Sequence, residues 1–269
     1  MNYRDIAKEN ISIFEGKIAP VLLKDDYRQV EVFSPEKLNL QNRKLLLESL
    51  ATYENTTVLV NKLDTLSSAR ICVENGENVV ALNFASAINP GGGFLKGSIA
   101  QEEDICRRST LFASLNTEKA FEMYAFNRCL PTHMYSDYML FSPLVWVFRD
   151  ENLSIVQKPF SLSVITAPAP NLTFLDYDSG AKEIMDTMKE RIRRVLTIAA
   201  IKGCTTIILG AWGCGAFCHD AKDVSQEFYD VLYEEGFLKY FKKVVFSVYV
   251  NPKLTSTYNY KIFFDKFSH

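Results

Sequence analysis

The sequence predicts a three-layer α/β fold, and three observations carry that prediction. Apolar runs at 56–60, 79–84, 162–167, 205–210 and 244–250 are rich in Val, Ile, Leu and Thr and read as strands. Helix-compatible stretches lie between them: Leu66–Glu74, about Ala181–Ile201, and about Asp220–Glu235. The runs are continuously apolar rather than alternating, which implies a sheet covered by helices on both faces.

The chain opens with Ile6, Ile11, Ile13 and Phe14 set among charged residues, and Gly16 is a stop, so Met1–Gly16 predicts a short amphipathic helix. Ser34-Pro35-Glu36-Lys37 is an entry signal for a second helix over 35–53, which carries Leu38, Leu45, Leu46 and Leu50. This region is too short to bury its own core and reads as an N-terminal layer. From Thr56 onward the pattern is strand, helix, strand, with Asn75-Gly76 turning the chain into Val79–Phe84. No repeat, low-complexity tract or inter-domain linker interrupts it.

With 269 residues, 48% hydrophobic and 23% charged, the chain can bury a sizeable core. A formal charge of −2 speaks against binding nucleic acid through a strongly basic surface. It leaves room for a small anionic ligand held by backbone N–H groups and helix N-termini. The start lacks a basic segment followed by an apolar one, and no apolar run approaches the roughly 18 residues that cross a bilayer. A soluble, cytoplasmic protein without a membrane partner is the expectation. The six cysteines are scattered and read as reduced thiols.

Two glycine-bearing loops come directly after two of the strands. The first runs Asn83-Phe84-Ala85-Ser86-Ala87-Ile88-Asn89-Pro90-Gly91-Gly92-Gly93-Phe94, the second Gly210-Ala211-Trp212-Gly213-Cys214-Gly215-Ala216-Phe217. In open α/β sheets ligands settle outside the carboxyl ends of strands, where residues without a Cβ let the backbone approach a pyrophosphate. The two loops together can clamp a diphosphate from opposite sides; each alone also reads as a tight turn. Neither carries the spaced glycines of a dinucleotide fingerprint or the Gly-Lys-Ser/Thr of a phosphate loop.

Beyond the first loop stand Gln101-Glu102-Glu103. A triple glycine, a seven-residue spacer and Gln-Glu-Glu resemble the hallmark of poly(ADP-ribose) glycohydrolases, and the wider match is to the microbial type. Asn83 to Phe94, Thr166-Ala167-Pro168-Ala169-Pro170-Asn171, and Leu209 to Gly215 all look like that family's blocks, and the resemblance takes in Tyr138 to Arg149 and the N-terminal extension. It implies a macrodomain-like fold with a mixed sheet between helices, residues 1–55 forming a helical extension packed on a catalytic core at 56–269. It implies Glu103 as the catalytic acid/base and Glu102 as the holder of ribose hydroxyls. Asn89, Gly91, Gly92 and Gly93 would line the distal ribose and phosphate, with Gln101 beside them, while Gly213, Cys214, Gly215, Ala216 and Phe217 would wrap the diphosphate. The departure from the family's pattern is at Cys218-His219, where smaller or amide-bearing residues are expected.

Glycosidases usually set two carboxyl groups about 5 to 9.5 Å apart across the sugar. Neighbours on a helix point roughly 100° apart, so Glu102 and Glu103 share a pocket but do not flank a ring. Geometry therefore favours one acid/base acting twice, with the other as an anchor. The alternative is that an acidic pair in a first helical turn is capping chemistry.

Other residues admit other readings. Cys214-x3-Cys218-His219 invites zinc, but four ligands are needed and the remaining histidines are His133 and His269, so neither metal nor cofactor is expected. Cys214 at a helix entry, with His219 nearby, suggests a thiol nucleophile. Phe94, Phe217 and Tyr249 are candidate stacking rings, with Tyr249 assigned to the core by default. Pro168 to Asn171 either lines the cleft or is a rigid connector, and Arg191-Ile192-Arg193-Arg194 reads as a solvated helix face.

Three functions stay in play: a hydrolase of ribose–ribose O-glycosidic bonds in poly(ADP-ribose), a hydrolase of mono-ADP-ribose on proteins or nucleic acids, and a non-catalytic ADP-ribose reader. The substrate partner is poly(ADP-ribose) or an ADP-ribosylated macromolecule, with ADP-ribose as product.

Overall fold

The structure is a computed structural model that describes residues 2–17, 25–175, 177–251 and 257–268. The chain begins with α1 (Tyr3–Phe14), capped by the Asn2 side chain, then β1 (Glu31–Phe33) and α2 (Leu40–Glu48). After these stand β2 (Thr57–Asn61), α3 (Thr65–Glu74) and β3 (Val79–Phe84). Next come α4 (Gln101–Arg108), α5 (Leu111–Leu115) and α6 (Glu118–Arg128), and the long strands β4 (Met139–Arg149) and β5 (Ile155–Ala167). The rest is α7 (Tyr177–Ile201), β6 (Thr206–Leu209), α8 (Ala221–Tyr229), β7 (Lys243–Ser247) and α9 (Tyr258–Phe267).

The strands form one mixed sheet in the order β1-β4-β5-β3-β6-β7-β2. Five of them, from β5 to β2, are parallel, while β4 and β1 add an antiparallel edge. Alternation along each strand divides the core. Val80, Leu82, Ile207, Val244 and Phe246 face one layer with Ile192 and Val195 of α7 and Phe228 of α8. Val79, Ala81, Ile208 and Val245 face the other, against Leu66 and Ala69 of α3, Ile105 of α4 and Phe112 of α5. Burial on both faces is why these strands are continuously apolar, and the three-layer expectation holds.

The N-terminal part departs from a helical extension. Val32 of β1 sits opposite Leu140 and makes the segment an edge of the sheet. The helix expected over 35–53 is broken: Glu36–Leu38 is a 3-10 turn, and Asn39 caps a helix that starts only at Leu40. Leu38 is buried while Leu45 is 61% exposed, so the leucines do not form one apolar stripe. Helix α1 reaches the core through Asn10, whose buried Nδ2 donates to Arg107 O at 2.8 Å and Cys106 O at 3.3 Å, capping the far end of α4. Among the described residues no helix is long and apolar enough to cross a membrane.

Candidate active site

Helix α4 starts against the carboxyl end of β3. Gln101 accepts from Phe84 N at 2.8 Å through Oε1, and its Nε2 donates to Leu82 O at 2.8 Å and Thr65 Oγ1 at 3.1 Å. Both amide atoms are thus committed to the scaffold. Rather than reaching for a ligand, Gln101 pins the helix so that the next two side chains enter the cleft.

Glu102 is buried, with Oε1 accepting from Asn83 Nδ2 at 3.2 Å and Oε2 from Ser86 N at 2.7 Å. Glu103 Oε1 accepts from Gly93 N at 2.7 Å, and its Oε2 is buried with no partner among the described residues. The capping alternative fails here. The N-cap Ala100 makes no side-chain bond, and the amides that serve the carboxyls belong to the preceding loop, not to the helix's own first turn. Burial pushes the Glu102 carboxyl up to about 8, outweighing the Ser86 amide and Asn83 side chain that favour its charge, with the Glu103 charge adding to the rise.

The triple glycine holds this pair. Gly92 is at φ +57, and a Cβ there would lie 2.5 Å from Glu103 Oε1 and 2.9 Å from Glu102 Oε2. A Cβ on Gly91 would meet Phe112 at 2.8 Å, and one on Gly93 would overlap the Ser98 side chain. Two of the loop's amides are spent internally, Gly92 on Asn89 O and Gly93 on Glu103, and the Gly91 amide favours the charged form of Glu102. The Gly92 and Gly93 N–H groups are therefore already engaged within the protein.

The second loop comes after the neighbouring strand β6 and is built differently. Gly213, at φ +81, packs against His219, whose ring would lie 2.7 Å from an added Cβ. His219 Nε2 lies 2.8 Å from Pro170 O, so the unusual histidine props the loop from behind, and its burial holds it below the ordinary imidazole range. Among the described residues, the amides of Gly213, Gly215, Ala216 and Phe217 meet no protein acceptor. A Cβ on Gly215 would stand in open space.

Both loops border a cleft of about 1260 Å³ at the carboxyl ends of the parallel strands. Gly92, Gln101, Glu102, Glu103, Gly213, Gly215, Ala216 and Phe217 line it. Asn89, exposed on the first loop, does not, nor do Gly91, Gly93 and Cys214. Cys214 packs on the core, where burial, then Asp220 and Asp223, push its thiol up to about 12, and helix α8 begins only at Ala221. That removes the activated-thiol reading. Among the described residues no three His, Cys, Asp or Glu side chains gather as a metal site; His269 lies outside them.

Several further readings are corrected. Phe94 is fully buried against Phe112, ring centroids 5.0 Å apart, and cannot stack on a ligand. Tyr249, assigned to the core, is 60% exposed and lines the cleft. Pro168 to Asn171 is a connector, its carbonyls bound by Arg191 and His219. Arg191 and Arg194 are buried rather than solvated: Arg191 pairs with Asp137 at 2.9 Å, and Arg194 donates to Ser34, Pro35 and Leu38 carbonyls. Sequence reasoning also passed over Asn83 and Thr166, which stand behind Glu102. Their signal was a polar residue inside an otherwise apolar strand.

Fold and site together define a macrodomain-like α/β protein with a buried pair of glutamates in a cleft at the carboxyl ends of the parallel strands. The family model described as microbial-type PARG, catalytic domain, matches residues 17–150. The poly(ADP-ribose) glycohydrolase of Thermomonospora curvata, solved with the inhibitor ADP-HPD, superposes with a TM-score of 0.87 at 34% identity, covering 98% of this chain and 99% of that one. That of Deinococcus radiodurans, in complex with ADP-ribose, gives 0.84 at 36% identity, covering 91% and 98%. No curated protein matches. The chain belongs to the microbial-type poly(ADP-ribose) glycohydrolase family.

Proposed function

We propose that the chain hydrolyses ribose–ribose O-glycosidic bonds in poly(ADP-ribose) and releases ADP-ribose, with Glu103 as the acid/base. The observation that carries the assignment is Glu103 Oε2. Of the four carboxyl oxygens it is the one without a protein partner, on a side chain that lines the cleft and is aimed by Gly93 N. The two glutamates leave the same helix end, so they do not flank a sugar. As acid, Glu103 passes a proton to the leaving ribose oxygen as the C–O bond breaks and an oxocarbenium ion develops; as base, its carboxylate then takes a proton from the water that attacks that carbon. Glu102, held by Asn83 and Ser86, keeps free lone pairs for hydroxyls of the same ribose. The unpaired amides of Gly213, Gly215, Ala216 and Phe217 suit the diphosphate, and Tyr249 offers a ring to the adenine. No cofactor enters this scheme. Its six free cysteines favour a reducing, cytoplasmic setting.

The test is incubation with automodified poly(ADP-ribose) and chromatography of the products. Wild-type chain should release free ADP-ribose, and Glu103→Gln should lower turnover by ~10²- to 10⁴-fold while still binding ADP-ribose. Near-wild-type turnover by that variant would move the role to Glu102. Binding without release over hours would leave only a reader.

A further inference from the structure

The carboxyl ends of the strands line up as β5, β3, β6, β7. Tyr249 lies just past β7, the loop with unpaired amides just past β6, and the glutamates stand at the end of β3. A ligand laid along this row, adenine to distal ribose, has its scissile bond at β3, and the next segment in line is the one leaving β5. There the chain carries a ledge of aromatic rings. Phe217 and Tyr135 have ring centroids 6.5 Å apart, Tyr135 and His133 are 5.9 Å apart, and His133 stacks on Phe174 at 4.4 Å with 28° between the planes.

The ledge is exposed and yet firmly held. Phe174 is 63% exposed, and His133 is also exposed. Leu172 N donates to Phe217 O and Thr173 Oγ1 to Ala216 O, both at 3.1 Å, while Asn171 N donates to His133 O at 2.9 Å. Buried Arg191 ties Met134 O at 2.7 Å and Tyr135 O at 3.0 Å to the Pro168 carbonyl. Tyr135 is fixed at φ +58, a conformation uncommon for a residue with a side chain. Water-facing rings on a braced backbone, continuous with the cleft through Phe217, form a ready stacking platform.

We infer that this ledge binds the purine base of the unit on the far side of the scissile bond, making the chain selective for polymer over single ADP-ribosyl conjugates. The inference rests on the proposed glycohydrolase reading. In a ribose–ribose bond of this polymer the departing base hangs on the carbon next to the one that bears the scissile oxygen, so it stays close to Phe217 and the rings beyond. A serine, aspartate or glutamate side chain at that position has no comparable flat surface to offer.

The test measures binding of ADP-ribose and of the ADP-ribose dimer in the Glu103→Gln background. His133→Ala with Phe174→Ala should weaken the dimer about 5- to 150-fold, the usual worth of one base–aromatic stack, and leave ADP-ribose within about twofold. Phe174→Tyr should restore the dimer. Equal loss for both ligands would show that the ledge only supports the second loop, and unchanged dimer affinity would remove the subsite; either result overturns the inference. Failure of the Glu103→Gln chain to bind ADP-ribose at all would instead overturn the parent reading and the subsite with it.

Discussion

The two glycine loops look interchangeable on paper, yet they do opposite work. In the first, Gly91 and Gly92 take positive φ, and the space a Cβ would fill holds Phe112 and the two glutamate carboxyls. The amides of Gly92 and Gly93 are consumed by Asn89 O and the Glu103 carboxyl. In the second, Gly213 alone has a positive φ, Gly215 borders empty space, and the amides from Gly215 to Phe217 find no protein acceptor among the described residues. One loop's glycines make room for the protein's own buried carboxyls, while the other's leave room that no described residue fills. A glycine tract is therefore read by what its N–H groups are already doing.

The sharpest break of this comparison is Gly92→Ala. A Cβ 2.5 Å from Glu103 Oε1, on a backbone at φ +57, must displace the proposed acid/base, so turnover on polymer should fall by at least ~10²-fold, with a stability cost of about 1 to 3 kcal/mol. Single-turnover rates and thermal melting check both. Wild-type turnover in a folded Gly92→Ala chain would mean that Glu103 needs no fixed position. Gly215→Val tests the other loop. Among the described residues none beyond its chain neighbours lies within 4 Å of an added Cβ, so stability should change by no more than about 0.5 kcal/mol, while ADP-ribose affinity falls roughly tenfold as the side chain enters the space proposed for the diphosphate. Calorimetry with unchanged affinity would move the diphosphate away from this loop.

A smaller effect comes from Glu102. Its carboxyl rises from the ordinary 4.5 to about 8 on burial, so the folded chain keeps a proton that the unfolded chain gives up between those values. Stability from this group is complete below pH 4.5 and is lost as pH rises through about 8. Glu102→Gln cannot ionise and should escape that loss, gaining on wild type by up to about 1.4 kcal/mol per pH unit across the window. The amide is tolerated because Asn83 Oδ1 has no partner and can turn to accept from the new Nε2, while Ser86 N keeps its oxygen. Melting curves from pH 5 to pH 8 decide it; parallel pH profiles would show that Glu102 ionises as freely folded as unfolded.

What the sequence by itself determined is local in origin. Strand runs buried on both faces are apolar at most positions, so β3, β6, β7 and the 162–167 end of β5 were legible without knowing their neighbours. Gly91-Gly92-Gly93 and Gln101-Glu102-Glu103 were legible because their spacing along the chain is itself the signal. What only the tertiary structure decided depends on contacts far apart in sequence. Val32 becomes a strand residue because Leu140 lies opposite it. Arg191 and Arg194 read as a solvated run, yet both are buried by carbonyls from loops over 20 residues away, 134–135 and 168 for one and 34–38 for the other. Phe94 and Tyr249 exchanged places between cleft and core for the same reason: burial of a ring is set by what packs on it, not by the glycine beside it. Gln101 turned from ligand contact to clamp because the carbonyl and amide it binds belong to a strand 17 to 19 residues earlier. Local pattern fixes which residues meet backbone needs; the partner of each polar side chain is a long-range choice, and at this site those choices decide which glutamate oxygen is left without a partner among the described residues.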